Sequence, residues 1–318
     1  VRGGILPEEL AAIAIVGLTA SGKSCAAVAL SLALGNAEVV SIDSMAVYRG
    51  MEKGTAVPTE QERRGVPHHL IGIVDPSCEL SVMQFQEAAR SVLQEICERG
   101  KKAVLVGGSG LYFQAVVDQL EIPQRYPEVL ADLQARVPSG DQEALHRLWE
   151  ELRRLDPLAA SRMDPSNRRR VLRAMEVTLG AGRPFSSFGP GLAHYGSARI
   201  PVIGLRYPPE TQVARIRDRV EAQLRSGWLE EVACLLESGT PLSRTAAEAV
   251  GYRELIAHLQ GACSLDEARE KIIRRSLQFA RRQWRWFRRD PRIIWVDPEA
   301  EDPVELARWA WRHTWSRS

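Results

Sequence analysis

Cysteine is sparse in this sequence and never paired. Cys25, Cys78, Cys97, Cys234 and Cys263 are scattered through 318 residues with no CxxC spacing, which argues against both a disulfide framework and a thiolate zinc site. Long apolar runs are absent as well. The stretches 10–16 and 25–34 are interrupted by Gly17 to Ser24, Lys23 included, so neither approaches the ~20 residues of a membrane span. Glu8 and Glu9 stand where a secretory leader needs basic residues. No internal repeat or low-complexity tract occurs. These absences point to a cytoplasmic, reducing setting without a membrane segment.

An excess of one charge sign is also lacking, since 42 Lys and Arg against 40 Asp and Glu leave a formal net charge of +2. The balance hides an uneven distribution. Arginines crowd into 167–173 and 269–289, so a local basic surface is expected. The 45% hydrophobic content is that of a globular chain, long enough for a core domain carrying a second unit.

Buried strands alternate with helices along the chain. Ala12 to Val16 is a short apolar run ending at a glycine, and 24–34 then reads as a helix. Further strands are expected at 38–42, 102–106, 200–205 and 292–296, and helices at 81–99, 210–238 and 264–289. This alternation predicts an α/β fold, a P-loop-type parallel sheet with helices on both faces. Between Gln124 and about Ser197 charged helical segments are broken by Pro127, Pro138, Pro157, Pro165, Pro184 and Pro190. The organisation expected is therefore a core of 1–123 and 198–318 around a mainly helical insertion of 124–197.

Residues 17–24 match G-x-x-x-x-G-K-S. Glycines in this pattern let backbone N–H groups converge on a phosphate, and the following helix start adds positive potential. Lys23 then bridges phosphate oxygens and Ser24 helps to hold magnesium. The ligand specified is a di- or triphosphate, with ATP only one candidate. Asp43, ending the second strand, stands where α/β sheets place site residues, either as a general base or as a helix cap. Gly107-Gly108-Ser109-Gly110 is either a tight turn or a means of presenting Ser109 to substrate.

The segment 269–289 interleaves Arg274, Arg275, Arg281, Arg282, Arg285, Arg288 and Arg289 with Phe279, Trp284, Trp286 and Phe287. Guanidinium groups for phosphates and aromatic faces for stacking suit a nucleic acid, whereas an amphipathic helix with core aromatics and solvated arginines accounts for part of the pattern. Asn167 to Arg173 is a second basic cluster. His68 and His69 diverge on either a strand or a helix and have no acid or cysteine at ligand spacing, which favours a structural role over metal ligation.

The chain resembles the tRNA dimethylallyltransferases, also called tRNA isopentenyltransferases, over nearly its whole length. The resemblance is carried by GLTASGKS (17–24), DSMAVYRGMEKGTAVPT (43–59), VPHHLIGIVDP (66–76), VGGSGLYFQAVV (106–117), NRRRVLRAMEV (167–177), AVGYRE (249–254) and ARRQWRWFRRD (280–290). It implies transfer of the dimethylallyl group of dimethylallyl pyrophosphate to the exocyclic amine of adenosine 37 in the tRNA anticodon stem-loop, with Mg2+ assisting, by a monomeric cytoplasmic enzyme. Gly17, Thr19, Ala20, Ser21, Gly22, Lys23 and Ser24 would grip the pyrophosphate, with Ser24 on the magnesium. Asp43, Ser109 and Arg219 would be catalytic, although Arg215 and Arg217 lie close enough to Arg219 to compete for its place. RNA contacts are implied for Asp43, Ser44, Met45, Ala46, Arg169, Arg170, Arg173, Glu248, Gly251, Tyr252, Arg253, Arg281 and Arg282.

Four positions depart from the family pattern: Leu18 stands for a proline, Ala46 for a glutamine, Gly72 for an aspartate and Ser109 for a threonine. The sequence ends without the zinc-finger extension of eukaryotic relatives, which points to the bacterial type. Two other readings compete. A small-molecule kinase accounts for the loop and Asp43 but leaves the basic segments unexplained. A non-enzymatic RNA-binding module accounts for those segments alone.

Overall fold

The structure, a computed structural model, describes residue 7, residues 9 to 196 and residues 200 to 315; Glu8 and the expected 197/198 boundary lie outside them. The chain divides into two compact units. One comprises residues up to Gln119 and from Tyr195 onward, the other Leu120–His194.

The first unit begins with β1 (Ala12–Gly17), α1 (Lys23–Leu34) and β2 (Ala37–Ser41). Two short helices, α2 (Glu52–Thr55) and α3 (Glu60–Arg63), precede β3 (His68–His69), α4 (Val82–Glu98), β4 (Lys102–Gly107) and α5 (Gly110–Val117). The second unit contains α6 (Pro127–Arg136), α7 (Gln142–Leu155), α8 (Pro157–Ser161), α9 (Arg168–Ala181) and a 3-10 turn at Phe185–Phe188. It closes on its own core of Leu133, Leu145, Leu148, Leu152, Val171, Leu172 and Met175. The first unit resumes with β5 (Val202–Leu205), α10 (Pro209–Arg225), α11 (Trp228–Glu237), α12 (Arg244–Ala247) and α13 (Tyr252–Leu259), followed by α14 (Leu265–Phe287), β6 (Ile293–Val296) and α15 (Pro303–Trp315).

All pairings in the sheet are parallel, in the order β3-β2-β4-β1-β5-β6. Strand alternation assigns side chains to two cores. Ile13 and Ile15 point to the layer of α1 and α15, with Leu30, Ala307 and Trp311. Ala12, Ala14 and Val16 point to the opposite layer, with Phe85, Leu93, Ile273 and Phe287 of α4 and α14. Helices therefore cover both faces, as a parallel sheet requires.

The expected helix over 210–238 is two helices. Gly227 adopts φ 94 and caps α11, a left-handed conformation that glycine reaches without steric cost and that ends the α10 ladder after Arg225. The strand expected from 200 begins at Val202, because Pro201 lacks an N–H and contributes only its carbonyl, which accepts from Ala14 N at 2.9 Å. Edge strand β3 has no apolar run to announce it. His69 instead places Nε2 2.6 Å from Glu38, whose buried carboxylate also accepts from Arg99 at 2.7 Å and Lys101 at 2.6 Å. His68 Nδ1 lies 2.8 Å from the Val66 carbonyl. Among the described residues no group of three or more His, Cys, Asp or Glu could hold a metal, and no helix is long and apolar enough to cross a membrane.

Candidate active site

The loops leaving β1, β2 and β4 emerge together at the carboxyl edge of the sheet, the usual position of sites in open α/β folds. The first is the phosphate loop. Ala20 at φ 62 and Gly22 at φ 81 are left-handed, which turns the backbone into the first turn of α1 and forms an anion-binding concavity. Leu18 is buried against Ile216 of α10 and Ala280 of α14, so the side chain at this position anchors the loop to two helices.

Four polar side chains hold the loop from outside. Gln283 of α14 accepts from Thr19 N at 2.7 Å and donates to Gly108 O at 3.0 Å. Gln212 of α10 donates to Thr19 O at 2.8 Å, and Arg215 Nε donates to Ala20 O at 3.0 Å with its guanidinium over the Tyr207 ring. Arg219 donates to Thr19 Oγ1 at 3.1 Å and reaches Thr55 O at 3.5 Å. The three arginines of α10 are thus distinguished: Arg217 is exposed, Arg215 braces the loop backbone, and Arg219 bonds the Thr19 side chain.

Lys23 donates to Leu18 O at 2.5 Å. Burial of its ammonium, reinforced by the Arg219 charge and opposed by Asp43, pulls its pKa down to about 7. Burial also lowers the pKa of Arg219, again against Asp43. Two cations facing one carboxylate leave the loop with a surplus of positive charge, which suits a polyanion.

Asp43 Oδ1 accepts from Met45 N at 2.8 Å. This is an Asx turn rather than a helix cap, since no helix starts there. Ser109 Oγ accepts from Ser44 N at 3.1 Å and lies 3.1 Å from Ser44 Oγ, so the β4–α5 turn fixes the Asp43 loop. The glycines of that turn make room for α14: a Cβ on Gly108 would sit 2.2 Å from Gln283 Nε2, and one on Gly110 2.3 Å from the Trp286 ring.

Several residues expected at the RNA are placed otherwise. Tyr252 is fully buried, its hydroxyl 2.8 Å from Met51 O and 2.6 Å from Glu231 Oε1, and the apolar surroundings with the Glu231 charge push its pKa up. Gly251 lies against the Trp228 ring. Both belong to the core, where Glu231 accepts from Lys53 N and Gly54 N at the start of α2, and Gln223 donates to the Lys53 and Gly54 carbonyls. Their part is to position α2, whose Thr55 carbonyl meets Arg219. The Ala46 side chain is buried and its carbonyl accepts from Gly72 N at 2.9 Å. Arg173 is committed to Glu176 at 2.8 Å and to Pro123 O at 2.6 Å, which ties α9 to the start of its own unit. Arg169, Arg170, Glu248, Arg253, Arg281 and Arg282 are exposed, and Ser44 and Met45 partly so.

Gln283 and Gln212 escaped the sequence reading, and Arg215 entered it only as a competitor for the place of Arg219. Gln283 had a signal, because it lies three residues beyond Ala280 and four before Phe287 on the inward stripe of an arginine-rich helix. An uncharged polar residue on an apolar stripe marks a specific buried partner.

The chain matches the family described as IPP transferase over residues 46–290. A Streptomyces coelicolor protein named tRNA dimethylallyltransferase is 43% identical over 96% of each chain, and one of the same name from Thermobifida fusca is 42% identical over 93% of this chain and 92% of its own. Among solved structures, the tRNA isopentenylpyrophosphate transferase of Bacillus halodurans is 35% identical, with TM-score 0.69 over 96% of this chain and 98% of its own. A eukaryotic dimethylallyltransferase captured acting on tRNA is 26% identical, with TM-score 0.74 over 96% of this chain and 77% of its own. With family match, identity and fold in agreement around a phosphate loop, the chain belongs to the IPP transferase family, the enzymes known as tRNA dimethylallyltransferases.

Proposed function

We propose that this chain transfers the dimethylallyl group of dimethylallyl pyrophosphate to the exocyclic amine of adenosine 37 in tRNA and releases pyrophosphate. The observation that carries this reading is the electrostatic meeting of Asp43 with Lys23 and Arg219 beside the phosphate loop, in a chain of this family. A kinase shares the loop but has no use for the exposed arginines of α14.

The adenine amine is a weak nucleophile because its lone pair is delocalised into the ring. A new C–N bond forms at C1 of the prenyl group while the C1–O bond breaks, its electron pair leaving with the pyrophosphate. Lys23, Arg219 and the loop N–H groups take up the charge on the departing oxygen. Asp43 accepts the amine proton; its Oδ1 is engaged by Met45 N, and Oδ2 has no hydrogen bond among the described residues. Ser109, through Ser44, orients that carboxylate.

Ser24 Oγ also makes no hydrogen bond among the described residues, and a hydroxyl at the head of α1 suits a hard cation held chiefly by substrate phosphates. Bound there, Mg2+ supplies charge neutralisation of the pyrophosphate. On the RNA side, exposed Arg169, Arg170, Arg253, Arg281 and Arg282, with Glu248 and the 43–46 loop backbone, form the contacts. Extruding the base costs a few kcal/mol, offset by those contacts and by stacking. The enzyme acts in the cytoplasm as a monomer.

The test is incubation with unmodified tRNA and dimethylallyl pyrophosphate, followed by mass spectrometry of the digested nucleosides. Isopentenyladenosine at position 37 is the expected product. ATP turnover, or transfer to a small hydroxyl compound in its place, would sink the reading.

A further inference from the structure

Helices α13 and α14 diverge to leave an open cleft of about 620 Å³, lined by Arg253, Glu254 and Ala257 on one wall and Lys271, Arg274 and Arg275 on the other. Its charge is lopsided. Four cations face one carboxylate, and that carboxylate is already taken: Glu254 accepts from Arg275 at 2.6 Å and from Gly251 N at 2.9 Å. Arg275 also donates to Glu248 O at 3.0 Å, so it pins α14 to the segment ahead of α13. Arg253 and Arg274 are exposed and have no ion-pair or hydrogen-bond partner among the described residues.

A merely solvated helix face pairs its charges. On α7, Arg147 bonds Glu143 and Arg153 bonds Glu150, within one turn in each case. On α14 the acids stop at Glu270, and from Lys271 to Arg289 the chain carries eight cationic residues and no acidic one. Like charges then recur at the i,i+4 spacings 271/275, 281/285 and 285/289, an arrangement that weakens a helix standing alone. Proximity to the helix C-terminus relieves the last of these, but not the pair 271/275 in the first half of α14. The exposed members within α14, Lys271, Arg274, Arg281, Arg282 and Arg285, follow the helical repeat and run from the cleft along one side of the helix. A polyanion laid along the stripe would neutralise it turn by turn at ~5.4 Å intervals.

We propose that the cleft between α13 and α14 is a phosphate-binding subsite for the RNA backbone, in which Arg253, Lys271 and Arg274 contact consecutive phosphodiester groups and Arg275 sets the spacing of the walls. The proposal rests on the tRNA-prenylating reading and deepens it. Phosphates are read here by charge alone, so the subsite contributes affinity and register without base specificity.

The experiment uses the full chain and a fluorescent, unmodified anticodon stem-loop RNA, with Kd measured over a series of KCl concentrations. The double substitution Lys271→Ala/Arg274→Ala should weaken binding about tenfold near physiological salt and lower the slope of log Kd against log salt by ~1–2, while the KM for dimethylallyl pyrophosphate stays unchanged. Arg253→Ala, on the opposite wall, should act in the same direction. Removal of an unpaired, exposed cation on α4, Arg90→Ala, serves as the control and should change neither quantity. Equal Kd and equal salt slope for wild type and double variant would overturn the subsite, even with wild-type prenylation intact. Failure of the wild-type chain to prenylate any tRNA is the separate result that removes the reading beneath it.

Discussion

Replacing Gln283 by methionine keeps the volume of a buried side chain and removes both of its hydrogen bonds. In the structure this side chain, 5% exposed, accepts from Thr19 N at 2.7 Å and donates to Gly108 O at 3.0 Å. An isosteric swap costs little in packing, whereas each buried backbone group left without a partner costs about 1–3 kcal/mol. Two such groups put the loss at about 2–6 kcal/mol. Where it falls is the informative part. If the loop loosens in the free protein and the prenyl donor must re-order it, about 2 kcal/mol appears as a roughly 30-fold weaker donor affinity. The rest appears as a fall of a few degrees in Tm. Calorimetric titration of dimethylallyl pyrophosphate without RNA, together with thermal unfolding, separates the two. Gln283→Glu refines the test, since its carboxylate still accepts from Thr19 N but faces Gly108 O with a lone pair and sets a negative charge beside the pyrophosphate, so donor affinity should fall further. A lowered Tm with unchanged donor affinity would show that Gln283 only fills the core, and the link from α14 to the phosphate loop would be refuted.

Other outcomes follow from the same geometry. Asp43→Ala should lower kcat by about 10²–10⁴ with tRNA affinity retained; equal turnover in the nucleoside digest removes Asp43 from proton transfer. Lys23, with its pKa at about 7 in the ligand-free protein, is increasingly neutral above that pH, while a bound pyrophosphate favours its charged form. Donor binding should therefore take up a proton and weaken by up to about tenfold per pH unit from about 7 towards the ordinary lysine value of 10.5, and titrations in buffers of different ionisation enthalpy measure that uptake directly. For the same group, the unfolded chain holds more protons across this window, so ligand-free stability should gain from Lys23 as pH rises through it. Burial alone would raise the Glu38 pKa, but hydrogen bonds from Lys101, His69 and Arg99 outweigh it and hold the carboxyl at about 2. Its stabilisation is complete above the unfolded value of 4.5 and is lost as pH falls towards 2. Glu38→Gln should cost about 1–3 kcal/mol at neutral pH, the half-exposed partners keeping it below the figure for a fully buried pair, and should flatten the acid limb of a denaturation series.

Residues 12–16 and 103–106 announce their strands because an all-buried parallel strand is a continuous apolar run, 38–42 does so through Val39, Val40 and Ile42 in spite of Glu38 and Ser41, and the phosphate loop announces itself because its backbone geometry restricts residue type. Other parts of the site are set by contacts distant in sequence. Nothing near Tyr252 signals that its hydroxyl meets Met51 and Glu231, so a motif rich in Gly, Tyr and Arg reads as surface when two of the three residues are core. Arg215, Arg217 and Arg219 look equivalent along the chain; only the helical phase against the loop separates them, and that phase is fixed by Ile216 and Val220 turning inward. Gln283 is hidden by its neighbours, since in a run of arginines and tryptophans the single amide attracts least notice. Edge strand β3 is two residues long and depends on pairing with Val39 and Val40 rather than on propensity.

The inward face of β1 sets a tolerance on chemistry some distance away. Ala12 and Ala14 share the core layer of Phe287 and Ile273, so small side chains in the middle of the sheet fix how deeply α14 can settle. Widening one of them, as in Ala14→Val, would lift the helix as a lever, and the displacement would be felt at Gln283 and the Thr19 amide. A mutation wholly inside the hydrophobic interior would then read out as a weaker grip on a pyrophosphate it never touches, and substitutions in this strand should be tolerated only in company with compensating changes on α14.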